Sequence, residues 1–244
     1  MLIPPQLISK YLGINPKTIL HIGAHLAEEY EDYSKLKWGK DLTIWIESSS
    51  ELVDQLQNKL DIRNNMVLEA TVWSHSGLIL NFNITNNSQA SSLLELGTLK
   101  SIYPEISVIE NVLKTTQRVD EILPKNFIPE LINIDIQGAE KQALMGCGDL
   151  LQDVQYIYTE VNKALIYKDC TLVWELDAYL SAFGFKRILT SWYKKDGWGD
   201  AMYIKLNKRN KILHKIYYLK LVQFISNLKK SINVCLYKIF KYFK

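Results

Sequence analysis

The chain has 244 residues, 48% hydrophobic and 23% charged, a balance that excludes a disordered or low-complexity protein. Its three cysteines, Cys147, Cys170 and Cys235, stand far apart without a CxxC pair, which argues against a disulfide framework and a structural zinc site. The net charge of +3 is uneven: residues 207–244 hold ten Lys or Arg and no acid, so a tail of +10 follows a body of −7.

"MLIPPQLISKYLG" opens the chain with paired prolines and no basic, apolar leader, so a secretory signal is not expected and a reducing, cytoplasmic setting is. "TILHIGAH" (18–25) then reads as a buried strand running into a glycine, and 27–38 as a helix. "LTIWIES" (42–48) is a second strand, 50–60 a second helix and 65–74 a third strand. Strands alternating with helices imply βαβ units and a parallel sheet. Residues 77–87 read as a strand, 88–106 as a polar loop with short helical parts, and 115–123 as a small helix. Alternation resumes with a strand at 131–136, a helix from about Ala139, a strand at 154–162 and a helix at 172–184. Strands at 185–193 and 201–206, joined by "KKDGWGD", make a terminal antiparallel hairpin.

Several polar residues fall at the ends of these strands. Gly23 and Ala24 end the first, where small residues let a ligand approach the backbone. Glu47 ends the second, 24 positions later, which suits an acid that accepts the hydroxyls of a ribose; the competing role is to cap the following "SELVDQL" helix. In "LINIDIQGAE" (131–140), Asp135 interrupts a buried run and is followed by Gln137, Gly138 and Glu140. A carboxylate there either caps the next helix or faces a ligand. Glu160 and Asn162 repeat the pattern at the end of the next strand.

Taken in order and spacing, "TILHIGAHLAEE", "WIES", "SSLLE", "LINIDIQGAEKQALMGCGDLL", "YIYTEVN" and "WGDAMYIK" resemble the FkbM family of S-adenosylmethionine-dependent methyltransferases over about residues 17–206. The D-x-Q/E-G-A-E segment is the most specific of these. The resemblance implies an α/β, class I methyltransferase (Rossmann-like) fold: a seven-stranded, mostly parallel sheet with an antiparallel last strand. It implies S-adenosyl-L-methionine as cofactor, with Gly23, Ala24 and His25 at its methionine end, Glu47 at the ribose, Ala70 and Thr71 at the adenine, and Asp135 near the sulfonium. The chain departs from the family pattern at His21, where Asp is common, at Ala27, where Gly is common, and at Gln137, where Glu is frequent.

The reaction this implies is O-methylation of a hydroxyl on a sugar, glycan or related small molecule. Methyl transfer to oxygen needs in-line positioning and removal of a proton. Asp135 is the first candidate base or orienting group, Glu160 and His25 are alternatives, and Asn162, Trp198 and Asp200 are candidate acceptor contacts. Asp135 and Glu160, at adjacent strand ends, are hard oxygen ligands, but no spacing demands a metal and none is assigned.

Residues 1–206 form the expected methyltransferase domain and 207–244 a basic extension. Phe224, Leu228, Ile232, Cys235, Ile239 and Phe243 recur at helical spacing with lysines away from that face, a basic amphipathic helix too interrupted to span a bilayer. Such a helix suits an anionic membrane surface, which would place the protein peripherally on a membrane's inner face; it equally suits packing on the acidic body or on a second copy in a homo-oligomer. Nucleic acid is the less favoured partner, so a nucleic-acid methyltransferase stands as one alternative and a catalytically degenerate binding protein as another.

Overall fold

The computed structural model describes residues 1–193 and 196–206, so the expected tail helix lies outside the described residues. The chain opens with α1 (Pro5–Leu7), continued as a wider helical turn over Ile8–Leu12. Two βα units follow: β1 (Thr18–Ile22), α2 (Tyr30–Leu36), β2 (Leu42–Glu47) and α3 (Ser50–Lys59), leading to β3 (Asn65–Glu69). The middle of the chain holds β4 (Thr71–Val72), β5 (Ile79–Thr85), α4 (Leu99–Ile102), β6 (Val108–Gln117) and α5 (Val119–Ile122). The last part runs β7 (Leu131–Ile134), α6 (Glu140–Gly146), β8 (Tyr156–Asn162), α7 (Val173–Ala182), β9 (Phe185–Trp192) and β10 (Trp198–Lys205).

The main sheet has seven strands in the order β3-β2-β1-β7-β8-β10-β9. Its first five are parallel, while β10 is inserted antiparallel between β8 and β9. All four residues of β7 are buried, as expected of a central parallel strand covered on both faces. One face packs Leu20, Ile22, Ile132, Ile134 and Leu144 into the larger core; the other packs Ile19, Trp45, Leu131 and Tyr158 under α2 and the N-terminal turns. Each of these buried aliphatic side chains contributes about 1.5–3 kcal/mol by leaving water. Strand order reverses between β1 and β7, so the two following loops part there and open a crevice at the carboxyl edge of the sheet.

The middle of the chain differs from the sequence expectation. The strand anticipated over 65–74 breaks at Ala70, whose N–H turns back to the Glu47 carbonyl at 2.9 Å, and β4 leaves to join a separate sheet ordered β4-β6-β5. Strand β6 was not foreseen, because its pattern is obscured: Ile109 and Leu113 are 65% and 68% exposed, so apolar residues do not mark a buried face. The helix expected over 115–123 shortens to α5 because Thr115–Gln117 pairs within the small sheet.

Candidate functional site

At the end of β1 the chain must turn sharply against β7. Gly23 has φ +83°, and a Cβ there would fall 2.0 Å from the Asp135 carbonyl oxygen, so no other residue fits. The Gly23 and Ala24 N–H groups both donate to the Ile46 carbonyl, at 2.9 and 3.0 Å. This aims the His25 N–H at Glu47 Oε2, 2.9 Å away, while Glu47 Oε1 accepts from the N–H groups of Ser48 and Ser49 at 2.8 and 2.9 Å. Glu47 is thus held by three backbone donors, combining the two roles the sequence left open, and Oε2 keeps a lone pair for a ligand. Ser48 Oγ beside it is buried without a partner. The glycine cradle, the carboxylate and the orphaned hydroxyl fit the ribose and backbone-facing parts of a nucleoside cofactor. Ala70 and Thr71 are buried at the β3–β4 junction next to this tip, and Lys114 of β6 closes it by donating to the Ser48 carbonyl at 2.8 Å.

The His25 ring is hydrogen-bonded to Glu28 and Ser88 and not to the other candidate catalytic groups. Its Nδ1 meets Glu28 Oε1 at 2.6 Å and its Nε2 meets Ser88 Oγ at 2.8 Å, tying the first turn to the segment after β5. His21 packs behind the turn, stacked on Trp45 at 4.7 Å with its Nε2 3.9 Å from Glu29, and burial holds its pKa below the usual value. Ala27 has φ 49°, a conformation that glycine adopts freely and alanine only at about 1–2 kcal/mol. The departures at 21 and 27 therefore alter packing and backbone strain behind the turn.

Asp135 follows β7 directly, its N–H bonded to the Ile22 carbonyl at 3.0 Å. It does not cap α6: the N–H groups of Ile136 and Gly138 go to Glu140 Oε1, at 3.3 and 2.9 Å. Gln137, at φ 57°, donates from Nε2 to Asp135 Oδ1 at 2.6 Å and accepts the Tyr167 hydroxyl at 2.9 Å, while Ser92 Oγ donates to its carbonyl. The turn is thus fixed by other groups, and the Asp135 carboxylate is left facing the crevice, accessible yet flanked by protein. Its pKa is raised, first because the protein packed around the sheet edge thins its hydration although the residue itself is open to the crevice, and then by the carboxylates of Asp200, Glu140 and Glu29.

Next to Asp135, on the same side of the crevice, Glu160 and Asn162 end β8 and are buried, with Asn162 Nδ2 3.4 Å from Glu160 Oε1. Burial, then the charges of Asp135, Glu140 and Asp200, raises the Glu160 pKa well above the ordinary carboxylate value. Asp200 sits opposite Glu160 in the β10–β8 register. Its Oδ2 is occupied by the Leu2 N–H and the Tyr158 hydroxyl, and the same hydroxyl accepts the Ile3 N–H at 3.0 Å. Met1 lies alongside, its amino group 3.3 Å from Glu29. Trp198 stacks on Tyr193 at 4.5 Å and packs against the small cluster of Ile166 and Tyr167. Asp200 and Trp198, expected from sequence to meet an acceptor, are therefore engaged by the protein itself, Asp200 by the N-terminal segment and Tyr158 and the half-buried Trp198 by Tyr193 and the Ile166–Tyr167 cluster.

The structure gathers Gly23, Ala24, Glu47, Asp135, Glu160, Asn162 and Asp200 along one sheet edge, with the His25 ring tied to Glu28 and Ser88. Sequence reasoning did not single out Glu29, Ser48, Ser88, Glu140 or Tyr158. Glu140 stood in the quoted run and Ser48 in "ESSS", but Tyr158 in a strand reads as apolar packing and carries no signal of its hydroxyl.

Residues 21–187 match the methyltransferase FkbM domain model. The chain belongs to the FkbM methyltransferase family. By family it carries a methyltransferase domain, and its sheet order is that of the class I methyltransferase fold. Among solved structures it is similar to methyltransferase FkbM from Methylobacillus flagellatus KT, with 15% identity and a TM-score of 0.51, over 77% of this chain but only 43% of that one. The chain thus spans less than half the length of that relative. It is also similar to a SAM-dependent methyltransferase from Aquifex aeolicus (14% identity, TM-score 0.46, 83% and 89% of the two chains). A third is the magnesium protoporphyrin IX methyltransferase from Synechocystis PCC 6803 with bound SAH (8% identity, TM-score 0.48, 84% and 80%). No curated protein matches the chain.

Proposed function

We propose that this protein transfers a methyl group to a hydroxyl of a sugar, glycan or related small molecule. The observation that carries the proposal is Asp135: its carboxylate lies open at the switch point and, among the described residues, is hydrogen-bonded from one side chain, Gln137. Bound S-adenosyl-L-methionine supplies an electrophilic methyl on a sulfonium. In this reading Glu47 accepts ribose hydroxyls with Ser48, the Gly23–Ala24 turn leaves room for the methionine end, and Ala70 and Thr71 flank the adenine. Asp135 orients the acceptor hydroxyl and takes its proton. A pKa raised first by the surrounding protein's exclusion of water and then by neighbouring carboxylates makes Asp135 a stronger base than an ordinary aspartate, which suits proton removal near neutral pH. The same carboxylates offset the charge of a cationic donor.

The test is transfer of labelled methyl from S-adenosyl-L-methionine to a panel of monosaccharides, oligosaccharides and polyols, with Asp135→Asn beside the wild type. Transfer lost in the variant is expected; labelling of oligonucleotides instead of polyols would contradict it. The basic residues 207–244 support a second proposal, that the enzyme works at the inner face of an anionic membrane. Co-sedimentation with phosphatidylserine vesicles that is lost without residues 207–244 is the expected result.

A further inference from the structure

Among the described residues, two buried side-chain polar atoms have no hydrogen-bond partner, Ser48 Oγ and Asn162 Oδ1. Ser48 adjoins Glu47, and a ribose-bearing cofactor accounts for it. Asn162 lies on the other half of the sheet edge, at the end of β8, where no part of the cofactor is assigned. Its side chain is fully buried, and its Nδ2 contact to Glu160 Oε1 at 3.4 Å puts the amide against that carboxylate. Glu160 is 6% exposed and, among the described residues, its carboxylate has this one long hydrogen bond, whereas Asp200, opposite it in the ladder, is taken by Leu2 and Tyr158.

An unsatisfied buried acceptor is destabilising, more so when charged, so a group that completes it gains on binding. Asn162 Oδ1, the Glu160 carboxylate and the nearby Asp135 carboxylate are all acceptors. A phosphate or carboxylate would add further acceptors and like charge. A hydroxyl supplies one donor; an ammonium supplies three and a positive charge.

We propose that Glu160 and Asn162 form a subsite for an ammonium group, so that the methyl acceptor is an amino sugar or amino alcohol whose amine docks there beside the reacting hydroxyl. This deepens the O-methyltransferase reading and rests on it. The alternative is internal: a protonated Glu160 donating to a flipped Asn162 amide would satisfy the carboxyl without a ligand, while leaving the amide N–H in the unpartnered position.

The two are separated by titrating the full chain, saturated with S-adenosylhomocysteine, with glucosamine, glucose and glucose 6-phosphate at pH 7. Glucosamine is expected to bind at least about tenfold tighter than glucose, the scale of one charge-assisted hydrogen bond, with the phosphate weakest. Glu160→Gln should bring glucosamine to the level of glucose, and the wild-type order stands as a test even where the variant folds poorly. Equal affinities, a preference for the phosphate, or no binding of any probe by protein that binds S-adenosylhomocysteine would overturn the subsite. Failure to bind S-adenosylhomocysteine would instead overturn the methyltransferase reading beneath it.

Discussion

Replacing Gly23 by alanine separates backbone conformation from close packing at the switch point, because the protein supplies its own control. Gly23 and Gly77 share φ +83°, but a Cβ at Gly77 meets nothing within 4 Å, while at Gly23 it falls 2.0 Å from the Asp135 carbonyl oxygen and 2.9 Å from Ile136. Gly77→Ala therefore carries only the left-handed strain of an L-residue, about 1–2 kcal/mol. Gly23→Ala carries that strain and must also push the β7 end away, at an overpacking cost of about 1–3 kcal/mol more. The displacement also loosens the 3.0 Å bond from the Asp135 N–H to the Ile22 carbonyl. A total of about 2–5 kcal/mol is expected, read by urea denaturation of both variants against the wild type. Equal losses for the two variants would refute the close packing of β1 against β7.

Asp135→Asn is expected to lower methyl transfer by roughly a hundred- to ten-thousandfold, the usual worth of a general base, while donor binding persists; unchanged turnover would remove Asp135 from the chemistry. Tyr158→Phe deletes the hydroxyl joining Asp200 to the Ile3 N–H and should cost about 1–3 kcal/mol in denaturation, and a neutral result would show that the N-terminal segment is not anchored there. The folded-state pKa of Glu160 is raised, so the native state holds its proton to higher pH than the unfolded chain does. Its carboxylate therefore subtracts stability as pH rises above the ordinary glutamate value and through that window. Glu160→Gln should match the wild type in acid and exceed it increasingly toward alkaline pH in thermal melts without cofactor; a constant difference across pH would contradict the shift.

The parallel half of the fold was legible because its strands are buried on both faces and read as apolar runs broken by glycine. Asp135 and Glu47 were legible for the complementary reason, that an acid at the end of such a run needs a partner. β6 was not, since it lies exposed on a small sheet where neither face imposes an apolar alternation. The occupation of Asp200 was hidden for a different cause: its partners, Leu2 and Tyr158, are 198 and 42 residues away and contribute a backbone N–H and a hydroxyl that no local pattern reveals. The same distance effect concealed the tie between His25 and Ser88, which turns a candidate catalytic ring into a clasp.

The most direct test of a cofactor site built on the β1 turn and the β2 carboxylate is isothermal titration of the folded protein with S-adenosyl-L-methionine, beside Glu47→Gln. Saturable one-site binding that weakens at least about tenfold in the variant, the worth of a charged hydrogen bond, is the predicted result. Absence of binding by the folded wild type, or equal affinity in both proteins, would contradict it.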